Sequence, residues 1–195
     1  MQQCLLNFTM NKEELRKYYK QKRDELYKAG CIFNISDSIV KKIAESEYFK
    51  SAKNIMLFYP KGSELNLLEL LKFKDKNFYM PVCKEGEIVV CPYKEGDKLI
   101  LNGYGIYEPE TSPVKDLSIF DIIITPALCA DINCQRIGYG KGYYDRFFAN
   151  KNLKAKKIIV VPKECLVNSI PCEHFDKPCD LIITQDKTIE DPKQS

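Results

Sequence analysis

The apolar positions follow a helical period through the first quarter of the chain and then break into short unbroken runs. Leu15, Tyr18, Tyr19 and Leu26 recur at helical spacing after Asn11, and Gly30 predicts a stop. Asn11 with Glu14 three residues later has the pattern of a capping box. A second amphipathic helix is predicted from about Ser36 to Phe49, with Ile39, Val40, Ile43 and Ala44 turned inward. Met1–Thr9 has no such pattern and is expected to be loose, and Met10 is a second candidate start. The later runs are Asn54–Tyr59 (closed by Pro60), Phe78–Val82, Ile88–Cys91, Ile119–Thr125, Lys157–Val161 and Leu181–Thr184. Several are β-branched, and most are bounded by Pro or charge, as in strands covered on both faces. Leu65–Leu71 and the segment after Gly140 read as helical. Together these predict a single α/β domain over residues 10–189, a mostly parallel sheet with helices on both faces and N-terminal helices leading in. Residues 190–195 are expected as a loose tail. In such a sheet ligands bind beyond the carboxyl ends of the strands. That directs attention to Pro60–Glu64 and Pro126–Tyr144.

Composition narrows the class. A chain of 195 residues, 45% hydrophobic and 29% charged, suits one compact domain with a substantial core. The net charge of +3, from 30 basic and 27 acidic residues, is too even to require a nucleic-acid partner. Nine cysteines suggest a disulfide scaffold, but the number is odd and no secretory signal is recognisable. No Cys-x-x-Cys occurs, and Cys129 and Cys134, the closest pair, are five apart, a poor spacing for zinc. The thiols therefore read as reduced core and loop residues of a cytoplasmic protein. No apolar run approaches the roughly 18 residues of a membrane span.

The densest candidate chemistry is Arg136-Ile-Gly-Tyr-Gly-Lys-Gly-Tyr-Tyr-Asp145. Glycines at 138, 140 and 142 allow sharp turns and expose successive N–H groups, which suits a phosphate. A helix starting near Tyr143 would add its own N–H groups, and Arg136 and Lys141 add fixed charge. The loop is neither a Walker A sequence nor the dinucleotide fingerprint. A purely structural glycine turn is the competing reading.

The run Arg136–Arg146 resembles the signature of the 5-formyltetrahydrofolate cyclo-ligases. Lys12 with Leu15-Arg16, Glu64, Gly105-Ile106 to Glu108-Pro109, Asp121–Leu128 and Asp180–Thr184 are similar to that family in the same order. The resemblance implies ATP-driven closure of 5-formyltetrahydrofolate to 5,10-methenyltetrahydrofolate, with Mg²⁺, through a phosphorylated formyl oxygen. It implies that Lys12, Arg16, Arg136, Ile137, Gly138, Tyr139, Gly140, Lys141, Gly142, Tyr143 and Tyr144 bind ATP, with Arg136 and Lys141 catalytic. Phe58, Tyr59, Glu64 and Tyr104, with Tyr139, Gly140, Lys141, Gly142 and Tyr143, would hold the folate. Glu64 would accept from the pterin donor edge, and Asp145 and Asp180 would hold the metal. The expected partner is 5-formyltetrahydrofolate, with or without a polyglutamate tail, and the chain is expected to act as a monomer without membrane or nucleic acid.

Simpler roles stand beside these. Lys12, Arg16 and Arg23 share one helix face, which spacing alone reads as solvated; the resemblance lifts only the first two. Glu64 can be an exposed loop carboxylate, Asp145 a first-turn helix acid, and Asp180 the opening of a strand. The sequence departs from the family at Cys83, at Cys134 where glycine is usual, and at Phe175, with His174 given no catalytic role. Asn133 is expected to supply the left-handed turn in place of that glycine. The alternatives are a non-catalytic nucleotide- or RNA-binding module of the same fold, and another ATP-dependent kinase or ligase.

Overall fold

A computed structural model describes residues 10–192. The expectation for Met1–Thr9 lies outside these residues. The helices among them are α1 (Lys12–Lys28), α2 (Cys31–Glu45), α3 (Glu47–Ser51) and α4 (Tyr143–Phe148). The strands are β1 (Asn54–Met56), β2 (Asn77–Lys84), β3 (Glu87–Tyr93), β4 (Leu99–Leu101), β5 (Tyr107–Pro109), β6 (Ile122–Pro126), β7 (Cys129–Asp131), β8 (Arg136–Ile137), β9 (Lys156–Val160), β10 (Leu166–Val167), β11 (Leu181–Ile183) and β12 (Thr188–Glu190).

The central sheet runs β12-β11-β9-β6-β1-β2-β3. Its five inner strands, from β11 to β2, are parallel, and an antiparallel strand flanks each side. Alternate residues of one strand enter opposite cores. Ile123 and Ile159 pack with Leu15 and Tyr19 of α1 and Phe147 and Phe148 of α4. Ile122, Ile124 and Ile158 pack with Ile32, Ile35, Ile39 and Ile43 of α2. Two covered faces explain the unbroken apolar runs.

The capping box forms as expected: Asn11 accepts from the N–H groups of Glu13 and Glu14, and Glu14 accepts from Asn11. Gly30 ends the first helix in a left-handed conformation (φ 72°) and at once starts α2. The second helix therefore begins five residues before the expected Ser36. It also stops early, because the Ser46 hydroxyl turns back to the Ile43 carbonyl and caps α3 instead. Leu65–Leu71, expected as helix, contains only a short 3-10 segment over Leu68–Lys72. Glu190, expected in the tail, pairs with Leu181 on the sheet edge, and Asp191 is buried.

From β1 the chain adds β2 on one side of the sheet, and β6 later takes the other. The crevice between β1 and β6 is thus the point where strand order reverses, the usual ligand position in such sheets.

Candidate active site

A tight crevice with essentially no free volume lies there, lined by Phe58, Glu64 and Leu65 after β1, Pro126 and Ala127 at the end of β6, Val160 and Pro162 at the end of β9, and Arg23 from α1. Glu64 is buried, not an exposed loop acid. Its Oε2 accepts the Lys61 backbone N–H at 2.9 Å and its Oε1 accepts the Tyr139 hydroxyl at 3.0 Å. Burial pushes the carboxyl above its ordinary range, while Arg23, the Lys61 N–H and Tyr139 oppose that rise. Tyr139 is pushed up to about 12 by burial of its hydroxyl and by Glu64.

Arg23 corrects the sequence reading. It is 3% exposed instead of solvated. Its guanidinium donates to Ser63 Oγ (3.3 Å), to the Ala127 carbonyl (3.2 Å) and to the Tyr139 hydroxyl. The only sequence signal was its position seven residues beyond Arg16, on the same helical face.

The glycine loop leaves β8 and turns at Gly140 (φ 86°) and Gly142 (φ 66°) before α4. Arg16 crosses it, donating from Nε to the Gly138 carbonyl at 3.2 Å. A Cβ on Gly140 would lie 3.1 Å from that Nε, so the glycine lets Arg16 approach. Among the described residues Lys141 makes no hydrogen bond or ion pair, and the two terminal nitrogens of Arg16 make none.

Other expected contacts are already occupied. Lys12 binds Glu173 at 2.5 Å and Asp176 at 2.6 Å, and lies over the Phe175 ring. Burial opposes its charge, but the hydrogen bonds and charges of Asp176 and Glu173 outweigh that and raise its titration. Arg136 has a side chain only 5% exposed and pairs with Asp145 at 2.9 Å. It also donates to the Lys177 carbonyl at 2.6 Å and lies near the faces of Tyr144 and Phe148. Asp145 Oδ1 accepts from Arg136 and from the Lys177 N–H, while Oδ2 takes no hydrogen bond among the described residues. Asp180 accepts the Lys157 N–H at 2.6 Å, beside a shallow cleft of about 280 Å³. No cluster of three or more His, Cys, Asp or Glu among the described residues is placed to hold a metal.

The aromatic side is less compact. Phe58 is buried in the core, while Tyr59 meets the Tyr107 ring at a tilt, with centroids 5.3 Å apart. Tyr104 is half-exposed, lies edge-on to Tyr143 at 6.4 Å and accepts the Lys61 ammonium at its carbonyl. Burial and Glu108 push the Cys83 thiol up to about 11, so no reactive thiolate stands here. Cys134, not Asn133, takes the left-handed conformation (φ 56°). The Asp131 carboxylate accepts the N–H groups of Asn133 and Gln135, which fixes that turn around the buried Cys134. His174 meets Phe175 edge-on.

A switch-point crevice with a buried acid beside a basic glycine loop is the arrangement of an α/β enzyme. The sequence profile of the 5-formyltetrahydrofolate cyclo-ligase family matches residues 8–185, and the chain belongs to that family. It is 30% identical over 148 residues to the 5-formyltetrahydrofolate cyclo-ligase of Escherichia coli (strain K12), covering 71% of this chain and 81% of that one. It is 28% identical over 174 residues to a probable 5-formyltetrahydrofolate cyclo-ligase of Schizosaccharomyces pombe, covering 79% and 85%. The NMR structure of Aquifex aeolicus 5,10-methenyltetrahydrofolate synthetase matches with a TM-score of 0.82 at 27% identity, over 94% of each chain. The family expected from the glycine loop is the family found.

Proposed function

We propose that this chain closes 5-formyltetrahydrofolate to 5,10-methenyltetrahydrofolate, driven by ATP and Mg²⁺, with release of ADP and phosphate. The observation that carries this reading is the 3.0 Å hydrogen bond from Tyr139 to Glu64, because it joins a phosphate-type loop to an acceptor suited to the pterin donor edge. Each Glu64 oxygen has one fixed donor and keeps acceptor capacity for a substrate N–H.

The oxygen of an N-formyl group is a poor leaving group from its carbon. Transfer of the γ-phosphoryl to that oxygen gives an iminophosphate; N10 then attacks the formyl carbon and phosphate departs. The protein's task is positioning and charge stabilisation. Lys141, the outer nitrogens of Arg16 and the glycine-loop N–H groups take the triphosphate in this reading. Arg136, held by Asp145 and the Lys177 carbonyl, is assigned to aligning Asp145 instead of touching phosphate. Mg²⁺ commonly takes one or two carboxylates and completes its shell with phosphate and water. Asp145, through Oδ2, would hold the ion, which would supply charge neutralisation to the phosphates; Asp180 accepts the Lys157 N–H at the amino ends of β9 and β11, away from Glu64, and would reach the ion only from that side. Lys12 joins the site only if it leaves Glu173 and Asp176. No described helix is long and apolar enough to cross a membrane.

Purified protein with Mg-ATP and 5-formyltetrahydrofolate is expected to form the methenyl chromophore with one phosphate released per turnover. Folded protein that gives no chromophore overturns the proposal.

A further inference from the structure

Arg23 is a buried guanidinium with no carboxylate within ion-pair distance among the described residues. Burying such a charge is costly, and an apolar side chain would fasten α1 to the sheet more cheaply. What an apolar residue could not do is direct hydrogen bonds. Arg23 directs three, to the loop after β1, the end of β6 and the glycine loop, and it lines the crevice itself.

The bond to Tyr139 has a directional consequence. The hydroxyl oxygen receives the Arg23 N–H, so its own proton is left to donate, and it is aimed at Glu64 Oε1. The Lys61 N–H holds Oε2 from the other side. We propose that Arg23 is a positioning residue: through Tyr139 it fixes the Glu64 carboxylate as an acceptor for the folate. This rests on the folate reading above.

The charged and titratable groups acting on Glu64 are Arg23, Lys61 and Tyr139, and Tyr144 on α4 lies within reach of its charge. Burial raises the Glu64 carboxyl and Arg23 opposes the rise. Without Arg23 the acid takes up its proton at a higher pH and ceases to be a pure acceptor.

The test uses Arg23→Met, Arg23→Lys and Tyr139→Phe in the full chain. Arg23→Met is expected to raise KM for 5-formyltetrahydrofolate about tenfold, the loss of a charge-supported hydrogen bond. KM for ATP should change much less. The acid limb of folate kcat/KM moves to higher pH. Arg23→Lys, which keeps the charge but not the fork, raises folate KM while leaving the limb nearer its original position. Tyr139→Phe reproduces most of the KM effect and adds little in the Arg23→Met background. Equal losses in both KM values with an unmoved pH limb would mean that Arg23 only braces the fold, and would overturn the proposal. Carbon-detected NMR titration of Glu64, assigned with Glu64→Gln, needs no substrate. A Glu64 titration that is the same in wild type and Arg23→Met overturns the relay even in a protein without folate activity. A raised titration in a protein that makes no chromophore upholds the relay and rejects the folate reading.

Discussion

At the Glu64 side of the crevice, the polar groups that shape the acid are tied to one another. Lys61 N–H, the carboxylate, the Tyr139 hydroxyl and Arg23 form one chain, and Arg23 continues through Ser63 to Asp24 at 2.5 Å. At the tip of the glycine loop, a few residues away in sequence, Lys141 is exposed and unpaired and the outer nitrogens of Arg16 have no partner among the described residues. The contrast matches the two ligands proposed. A flat heterocycle edge is recognised by acceptors held still, since a misdirected buried polar group loses the whole bond. A triphosphate can be met by mobile charges and backbone N–H groups that settle around it.

The largest effect should follow from breaking the rigid side. Glu64→Gln replaces two acceptor oxygens by one acceptor and one donor, and the donor meets either the Lys61 N–H or Tyr139. We expect folate kcat/KM to fall about a hundredfold, the range for a hydrogen bond to a charged group, with ATP affinity nearly unchanged. Steady-state kinetics with each substrate varied in turn reads this. A loss shared equally between folate and ATP would erase the distinction between the two halves.

Lys141→Ala probes the open side. Its effect should be about tenfold on kcat/KM for ATP, with folate KM little changed, because one exposed ammonium is removed from a multidentate site. Salt should weaken ATP binding less in the variant than in wild type, since the deleted charge is the screened one. An ATP affinity equal to wild type at low salt removes Lys141 from the phosphate site.

Lys12 gives a smaller and opposite effect. It was expected at the phosphates, yet it holds Glu173 and Asp176. Glu173 is more than half exposed, so Glu173→Gln should cost at most about 1 kcal/mol of stability. Freed in part, Lys12 should then lower KM for ATP about two- to threefold, a change of under about 1 kcal/mol. An increased KM would mean that Glu173 helps to place Lys12 for ATP instead of competing for it. The titration of Lys12 is raised in the fold, so the latch stabilises below the ordinary lysine range and is lost as pH rises through the raised value. The stability difference between wild type and Glu173→Gln should therefore shrink at strongly alkaline pH.

The open half was far more legible in the sequence than the rigid half. Three alternating glycines with a lysine announce a phosphate-type loop because the relevant groups are neighbours along the chain. The strands were found because both their faces are covered and the apolar runs are continuous. Glu64, Tyr139 and Arg23 are brought together only by the reversal of strand order at β1, which no local pattern encodes. Arg23 accordingly looked like one more solvated base on a helix. The helix boundaries failed for local reasons of the same kind: Gly30 serves two helices at once, and Ser46 bonds its own backbone. Arg136 was visible as a charge near glycines, but its engagement by Asp145 depends on α4 folding back beside β8.

The smallest expected effect concerns the turn through which the glycine-loop half is entered. Cys134 is fully buried at φ 56°, a conformation that costs an L-residue about 1 kcal/mol or slightly more. Cys134→Ala removes the buried sulfur and keeps the strain, so it should destabilise by about 1 kcal/mol. Cys134→Gly removes one carbon more but relieves the strain, so the glycine variant should be at least as stable as the alanine variant in urea unfolding. If glycine were less stable than alanine by more than about 1 kcal/mol, the greater freedom of the unfolded glycine chain would outweigh any strain relieved at this position. Neither change reaches the crevice directly, because the turn is held by Asp131 through the N–H groups of Asn133 and Gln135. Turnover of both variants should therefore stay within about twofold of wild type, a change of under about 1 kcal/mol. A larger loss would show that the entry turn sets the position of Arg136 and the loop beyond it, and that the open half is less tolerant than its unpaired lysine suggests.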